Sequence, residues 1–231
     1  MESLGVIMLT NSSDEKDRFI TIRSLLTLKD STIGRMNVAL VESGNDYKNF
    51  YSDLVNHYIA PNEKFNYNKF LNLGFNLVNQ EDWLLITNDD VSYHKNWFQE
   101  IMSIYCERPD ITSFSPSDPL FQMKFYPRLF VGTKDSYLES YKVSESVCGW
   151  SILVKMESAK IVFPLDEQFD MYYQDNDYAE VLKINNIRHA LSRHSIASHL
   201  NTFDVLKTSE NKITKMKEDE NKFRNKWKIY T

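Results

Sequence analysis

Trp83-Leu84-Leu85-Ile86-Thr87-Asn88-Asp89-Asp90 decides the fold: a run of strand-forming residues passes straight into a polar, acidic end. A short continuous apolar run bounded by turn residues is the pattern of a strand buried on both faces. Towards the N-terminus the pattern recurs. Val6-Ile7-Met8-Leu9-Thr10 ends in Asn11-Ser12-Ser13-Asp14, and Val38-Ala39-Leu40-Val41 ends in Glu42-Ser43-Gly44-Asn45; Tyr58-Ile59-Ala60 is a weaker third strand. Between them, Phe19, Ile22, Leu25 or Leu26, and Leu28 recur at helical spacing behind Asp14 or Ser13 as N-cap, and further helices are predicted over about Lys69–Val78 and from Asn96 through Tyr105. Strands alternating with helices predict parallel βαβ units with both sheet faces covered. Each strong strand ends in a polar cluster, Thr10/Asn11, Glu42/Ser43 or Asn88/Asp89/Asp90. Ligands of open α/β sheets sit beyond the carboxyl ends of the strands, so the clusters converge on one candidate site, although Asn, Asp and Ser also favour ordinary turns.

Composition agrees with a globular enzyme-sized chain. The 231 residues suit one generous domain, and 42% hydrophobic content with 14 Phe, 13 Tyr and 4 Trp excludes global disorder. Lys207–Thr231 carries eight Lys/Arg against four Asp/Glu, so a formal charge of −5 leaves −9 on residues 1–206. An acidic body argues against broad binding to a phosphate backbone. No stretch approaches the ~20 apolar residues of a membrane helix, and Met1-Glu2-Ser3-Leu4 lacks a basic leader region. Cys106 and Cys148 have neither disulfide-framework nor metal-knuckle spacing, and a cytoplasmic setting is expected. The expected organisation is one domain over 1–206, with a 1–100 half and a 101–206 half, followed by a Lys/Glu-rich helical tail over 207–231 whose Ile213, Met216, Phe223 and Trp227 recur near a 3.5 period.

The second half is less regular. Ser146 to Val154 reads as a buried strand with Gly149 at its start, a short helix follows over Ser158–Val162, and Gln168 to Tyr178 leads into a helix from about Asp177 to Asn185. Two acidic groups carry candidate chemistry. Asp89 and Asp90, adjacent at a sheet rim, repel each other without a cation, and oxygen ligands of this kind suit magnesium or manganese; helix capping before Asn96 is the bland alternative. Asp175 and Asp177 can supply a general base towards a hydroxyl, or simply cap the following helix. His189, His194 and His199 recur every five residues, a spacing that brings all three to one metal on neither a strand nor a helix, though a single one can still be a ligand. Phosphate-loop, dinucleotide, serine-elbow and zinc-protease motifs are absent.

These residues together resemble the family-2-like glycosyltransferases of the GT-A fold, in particular the rhamnosyltransferase-like branch, over Val6 to about Asn201. The resemblance implies an α/β Rossmann-like, mostly parallel central sheet flanked by helices, with an acceptor-side second half. It implies that Thr10 and Asn11 touch the donor nucleotide, that Glu42 (where Asp is usual) contacts base or ribose, and that Asn72-Leu73-Gly74 matches an N-x-G pattern at the donor side. In Asn88-Asp89-Asp90-Val91, Asp90 is implied to hold a divalent cation, Mn2+ or Mg2+, on the donor diphosphate, with Asp89 beside it. Gly149-Trp150, Tyr172 and the Leu165–Tyr178 phrase match the acceptor side; Asp175 is the implied base, Asp177 lies nearby, and His199 is a late ligand of metal or diphosphate. Gln174 and Lys183 depart from the usual Glu and Arg.

The implied activity is transfer of a hexosyl or pentosyl group, with inversion, from a nucleotide-sugar to a hydroxyl of a glycan, lipid-linked sugar, protein or hydroxylated nucleic-acid base. A nucleotidyltransferase, or a degenerate sugar-nucleotide-binding protein favoured by Gln174, are the alternatives.

Overall fold

β1 (Leu4–Thr10) is buried at every residue and sits inside a nine-stranded sheet. The computed structural model describes residues 2–32, 34–44, 47–131, 134–200 and 210–229. After β1 come α1 (Glu15–Ser31), β2 (Met36–Glu42), α2 (Lys48–Tyr51), β3 (His57–Ile59), α3 (Tyr67–Val78), β4 (Trp83–Asn88), β5 (Val91–Tyr93) and α4 (Trp97–Glu107). The second half adds β6 (Ile111–Ser117), α5 (Pro119–Phe125), a 3₁₀ turn (Pro127–Leu129), β7 (Tyr137–Glu139), β8 (Ser151–Lys155), α6 (Met156–Val162), α7 (Gln174–Ile184), β9 (Arg188–His199) and α8 (Glu210–Trp227).

The sheet order is β3-β2-β1-β4-β8-β6-β9-β5, with β7 also paired to β9. β1 to β4, β6 and β9 share one direction, and β5, β7 and β8 run against it, so the sheet is mixed α/β and mostly parallel. Period-two alternation splits the core into two layers. Val6 and Met8 face a layer with Leu25, Leu28, Trp97 and Ile101; Ile7 and Leu9 face another with Phe70, Val78, Ala159 and Leu182. Helix α3 is drawn tightly onto β1 at Gly74, where an added Cβ would lie 2.5 Å from Ile7 Cγ2.

Several expectations shift. β8 starts at Ser151, so Cys148-Gly149-Trp150 forms a turn before the strand rather than its first residues. α7 starts at Gln174, which puts Asp175 and Asp177 in its first turn. β6 falls in the less regular second half, where no strand is expected, and its alternate residues Ser113, Ser115 and Ser117 are all buried. In the tail, Phe223 is buried while Ile213 and Met216 stay exposed, so only the last part of the expected stripe packs on the body. Residues 207–209, 230 and 231 of that tail, and Asn45 at the end of the second strand cluster, lie outside the described residues. Among the described residues no helix is long and apolar enough to cross a membrane.

Candidate active site

The carboxyl ends of β1, β2 and β4 form one hydrogen-bonded rim. Thr10 Oγ1 donates to Asp89 Oδ2 at 2.6 Å, Thr21 Oγ1 reaches the same oxygen at 3.3 Å, and the Asn11 N–H lies 3.4 Å from it. Burial raises the Asp89 carboxyl to about 6; the Thr10 hydroxyl opposes the rise and the neighbouring Asp90 charge adds to it. Glu42, fully buried, accepts the N–H groups of Ser12 (3.0 Å) and Gly44 (2.8 Å) on Oε1. Its Oε2 is buried without a partner. Thr10, Asn11, Glu42 and Asp89 are therefore neighbours, as three converging strand ends require.

Asn72 is elsewhere. Its side chain accepts the Leu165 N–H at 2.7 Å and donates to the Leu165 carbonyl at 2.9 Å and to Glu167 Oε1 at 3.1 Å. The N-x-G pattern is thus occupied structurally: Asn72 ties α3 to the loop after α6, and Gly74 lets α3 approach the sheet.

Pairing of Val91 with His199 across β5 and β9 joins the acidic doublet to the end of the last strand. His199 Nε2 lies 3.1 Å from Asp90 Oδ1, with side-chain exposures of 13% and 12%, which leave an edge of each reachable. The His199 N–H donates to Asp118 Oδ2 at 3.1 Å, and the imidazole stacks on Trp150 at 5.5 Å between ring centres and 7° between planes. His199, Trp150 and Asp175 line one cavity of about 510 Å³, together with Tyr67, Asn88 and Gln174. Burial raises the Asp175 carboxyl above the ordinary range, partly offset by the Asn176 N–H at 2.9 Å. Gly149 makes room for it: an added Cβ would lie 3.0 Å from Asp175 Cβ. Tyr67 donates to Asn88 Oδ1 at 3.3 Å, and its phenol is pushed up by burial and by the charges of Asp175 and Asp90.

Asp177 and Tyr172 face another way. Asp177 is buried against α8, accepting Trp227 Nε1–H at 2.8 Å and Lys226 Nζ at 2.9 Å. Burial raises its carboxyl, and both of these bonds oppose the rise. The Tyr172 N–H donates to Asp219 Oδ2 of α8 at 3.2 Å, and Tyr172 is not among the cavity-lining residues. His189 is also remote in role: it is buried, with Ser113 Oγ 2.8 Å from Nδ1 and the Ser146 carbonyl 3.1 Å from Nε2, and burial pushes it down to about 4. His194 is exposed. Sequence reasoning missed Tyr67, Asp118, Phe121 and Phe125; the one signal for the last two was an apolar segment, Leu120 to Phe125, with no expected core to enter.

Asp90 and His199 offer one carboxylate and one imidazole, a donor set that suits manganese, and among the described residues no group of three or more such side chains converges. Two protein ligands leave positions for water and phosphate oxygens, the usual arrangement for a cation shared with a phosphate substrate. Among the described residues, no Lys or Arg lines the cavity. The pair fits a shared cation.

No family model and no curated protein matches this sequence. Solved structures do match. GalNAc-T7 with UDP, GalNAc and Mn2+ superposes with a TM-score of 0.66 at 10% identity, over 86% of this chain and 43% of that one. The mannosyltransferase PcManGT from Pyrobaculum calidifontis, in complex with GDP-Man and Mn2+, gives 0.65 at 13% identity, over 87% of this chain and 57% of that one. The fold is GT-A. The chain spans about half the length of these two proteins. In GT-A terms the cavity sits beyond the carboxyl ends of the parallel strands, at the boundary between the β1–α4 half and the half that follows.

Proposed function

We propose that this protein is a metal-dependent glycosyltransferase that moves a hexosyl or pentosyl group from a nucleotide-sugar to a hydroxyl acceptor. One observation carries the reading: a buried carboxylate, Asp175, shares a cavity with His199, whose Nε2 lies 3.1 Å from Asp90 Oδ1. Asp90 and His199 would hold Mn2+ or Mg2+, which when bound neutralises charge on a leaving diphosphate.

The chain's own residues supply the rest. Asp89, locked by Thr10, and Glu42, held by the Ser12 and Gly44 N–H groups, keep the rim in shape. The acceptor oxygen attacks the anomeric carbon while the bond from that carbon to the diphosphate oxygen breaks. Asp175 takes the acceptor hydroxyl's proton. The nucleoside diphosphate leaves with the bonding electrons, and a single displacement of this kind inverts the anomeric centre. Gln174 is no rival base, because an amide does not accept that proton. Asp177, paired to Lys226 and Trp227, anchors the helix that carries Asp175. Free cysteines, one exposed and one buried, accord with a reducing cytoplasmic setting.

The test is a panel of nucleotide-sugars scored for thermal stabilisation with and without Mn2+. A ligand that binds only the folded state at about 100 times its Kd adds about 2.7 kcal/mol. Stabilisation by at least one nucleotide-sugar, only with the cation, is expected, followed by release of nucleoside diphosphate. Release of pyrophosphate instead would identify a nucleotidyltransferase, and no stabilisation by any donor would overturn the reading.

A further inference from the structure

We infer that Asp219 of α8 is a positioning residue for the proposed base: it pins the left-handed turn at Tyr172 and Tyr173 from which α7 carries Asp175 into the cavity. The bearing on catalysis rests on the transferase reading; the placement of Asp175 does not.

The start of α7 needs an outside hold. Tyr173 occupies the N-cap position with φ 63° and ψ 6°, in the left-handed region, and its side chain makes no capping bond. A tyrosine there is strained, because its Cβ crowds the following carbonyl. A helix start is ordinarily fixed by a Ser, Thr, Asp or Asn side chain at this position. The Asp177 N–H nevertheless donates to the Tyr173 carbonyl at 2.8 Å and opens the helix. The direction of α7, and of Asp175 two positions into it, thus follows from the backbone of one strained residue. Strained backbone persists only where its surroundings over-determine it.

Helix α8 supplies those surroundings. Asp219, 47 positions beyond Tyr172 and fully buried, accepts the Tyr172 N–H on Oδ2 at 3.2 Å. Its Oδ1 accepts Lys222 Nζ at 2.7 Å and Lys215 Nζ at 3.2 Å. Both lysines continue to the loop before α7: Lys222 Nζ donates to the Gln168 carbonyl at 2.9 Å, and Lys215 Nζ lies 2.5 Å from Asp170 Oδ1. One helical turn beyond Asp219, Phe223 is buried with its ring centre 5.4 Å from that of Tyr173. A buried carboxylate and its cations are a poor source of stability, since apolar side chains of similar size often do as well. They are a strong source of fixed geometry, because losing one partner strands a buried charge.

Asp175 is sensitive to that geometry. It packs so closely on Gly149 that a Cβ added to the glycine would lie 3.0 Å from its own Cβ. Its charge acts on Tyr67 of α3, on Cys148 in the turn before β8 and on Tyr173, none of which brings a positive charge. Burial is the main cause of its raised ionisation. The titration of this carboxyl therefore reports how deeply the turn holds it.

The experiment is a carbon-detected NMR titration of side-chain carboxyls on the full chain, with Asp175 identified as the resonance lost in Asp175→Asn. Wild-type Asp175 is expected to titrate above the ~4 of an ordinary aspartate. Asp219→Asn keeps an oxygen for the Tyr172 N–H but removes the charge, so it should lower stability and leave the Asp175 titration in place. Asp219→Ala frees the turn and should bring that titration down towards ~4. A merely structural role would lower stability in both variants and separate them in neither titration. Tyr173→Gly and Tyr173→Ala repeat the test with the buried charges of α8 intact, and decide it if Asp219→Ala does not fold. Both remove the ring, but glycine accepts the left-handed turn and alanine resists it. The titration should hold in the glycine variant and fall in the alanine variant. A wild-type value near ~4 overturns the inference. So does an Asp219→Ala value equal to that of the wild type or of Asp219→Asn, or equal values in the two Tyr173 variants. The titration needs neither donor nor acceptor, so failure of glycosyl transfer counts against the transferase reading alone.

Discussion

At the rim of β1, β2 and β4, acids are held by neighbours in the alternating strand–helix units; at the start of α7, by a helix far along the chain. Asp89 is fastened by Thr10 of β1 and Thr21 of α1, and Glu42 of β2 is fastened by backbone just past β1 and β2. Asp177 instead finds Lys226 and Trp227, 49 and 50 positions later. The loop leading into α7 lies between two helices. On the α3 side, the Tyr67 N–H donates to the Asp170 carbonyl (3.0 Å) and Asn68 Nδ2 to the Asp166 carbonyl (2.8 Å). On the α8 side, Lys222 Nζ donates to the Gln168 carbonyl at 2.9 Å. The contrast teaches that a rim built by parallel strands is preorganised by the sheet, whereas the candidate base is preorganised by a clamp.

The largest effect expected is at Asp175. Asp175→Asn keeps the shape of the α7 turn and removes the base, so kcat should fall by about 10²–10⁴-fold with nucleotide affinity retained. The pH profile sharpens this. The folded protein holds the Asp175 proton to higher pH than an unfolded chain, which sheds it near ~4. Unprotonated base therefore accumulates as pH rises through the raised value, giving kcat an acid limb above ~4 that the Asn variant lacks. By linkage, the same ionisation removes stability as pH rises through that window. Unchanged kcat in Asp175→Asn would break the division of labour between the two sides.

A smaller effect tests the clamp. Trp227→Phe removes the N–H from a buried carboxylate and should cost about 1–3 kcal/mol in chemical denaturation. Because the clamp holds the helix that carries Asp175, kcat should fall more than nucleotide affinity. Equal losses in both would contradict the separation. Asn72→Ala should do least. It loses the bonds to the Leu165 backbone, about 1–2 kcal/mol, while nucleotide affinity measured by calorimetry stays within error. A large drop in that affinity would return Asn72 to the donor site.

The same contrast explains what was legible in the residues alone. β1, β2 and β4 announce themselves because a strand buried on both faces must be apolar throughout, and their polar ends mark the rim. Asp90, Asp175 and His199 were legible as candidates through motif order. Their partners were not, since Asp118, Tyr67 and the α8 contacts arise from pairings across the chain that no local period encodes. β6 was obscured because its buried positions are serines, whose hydroxyls find partners such as His189 and Tyr178 only once the sheet has formed. The Asn72 bonds were hidden for a related reason: a polar residue on a helix beside a site looks the same in sequence whether it meets a ligand or, as its amide does here, the Leu165–Glu167 loop.

The central claim is that Asp90 and His199 share a cation with the donor diphosphate within reach of Asp175. Anomalous diffraction from crystals grown with Mn2+ and a nucleoside diphosphate tests it most directly. The account predicts a manganese peak bonded to the Asp90 carboxylate, His199 Nε2 and phosphate oxygens, with Asp175 lining the same cavity. A nucleotide bound with no such peak, or manganese held by other residues, would contradict it.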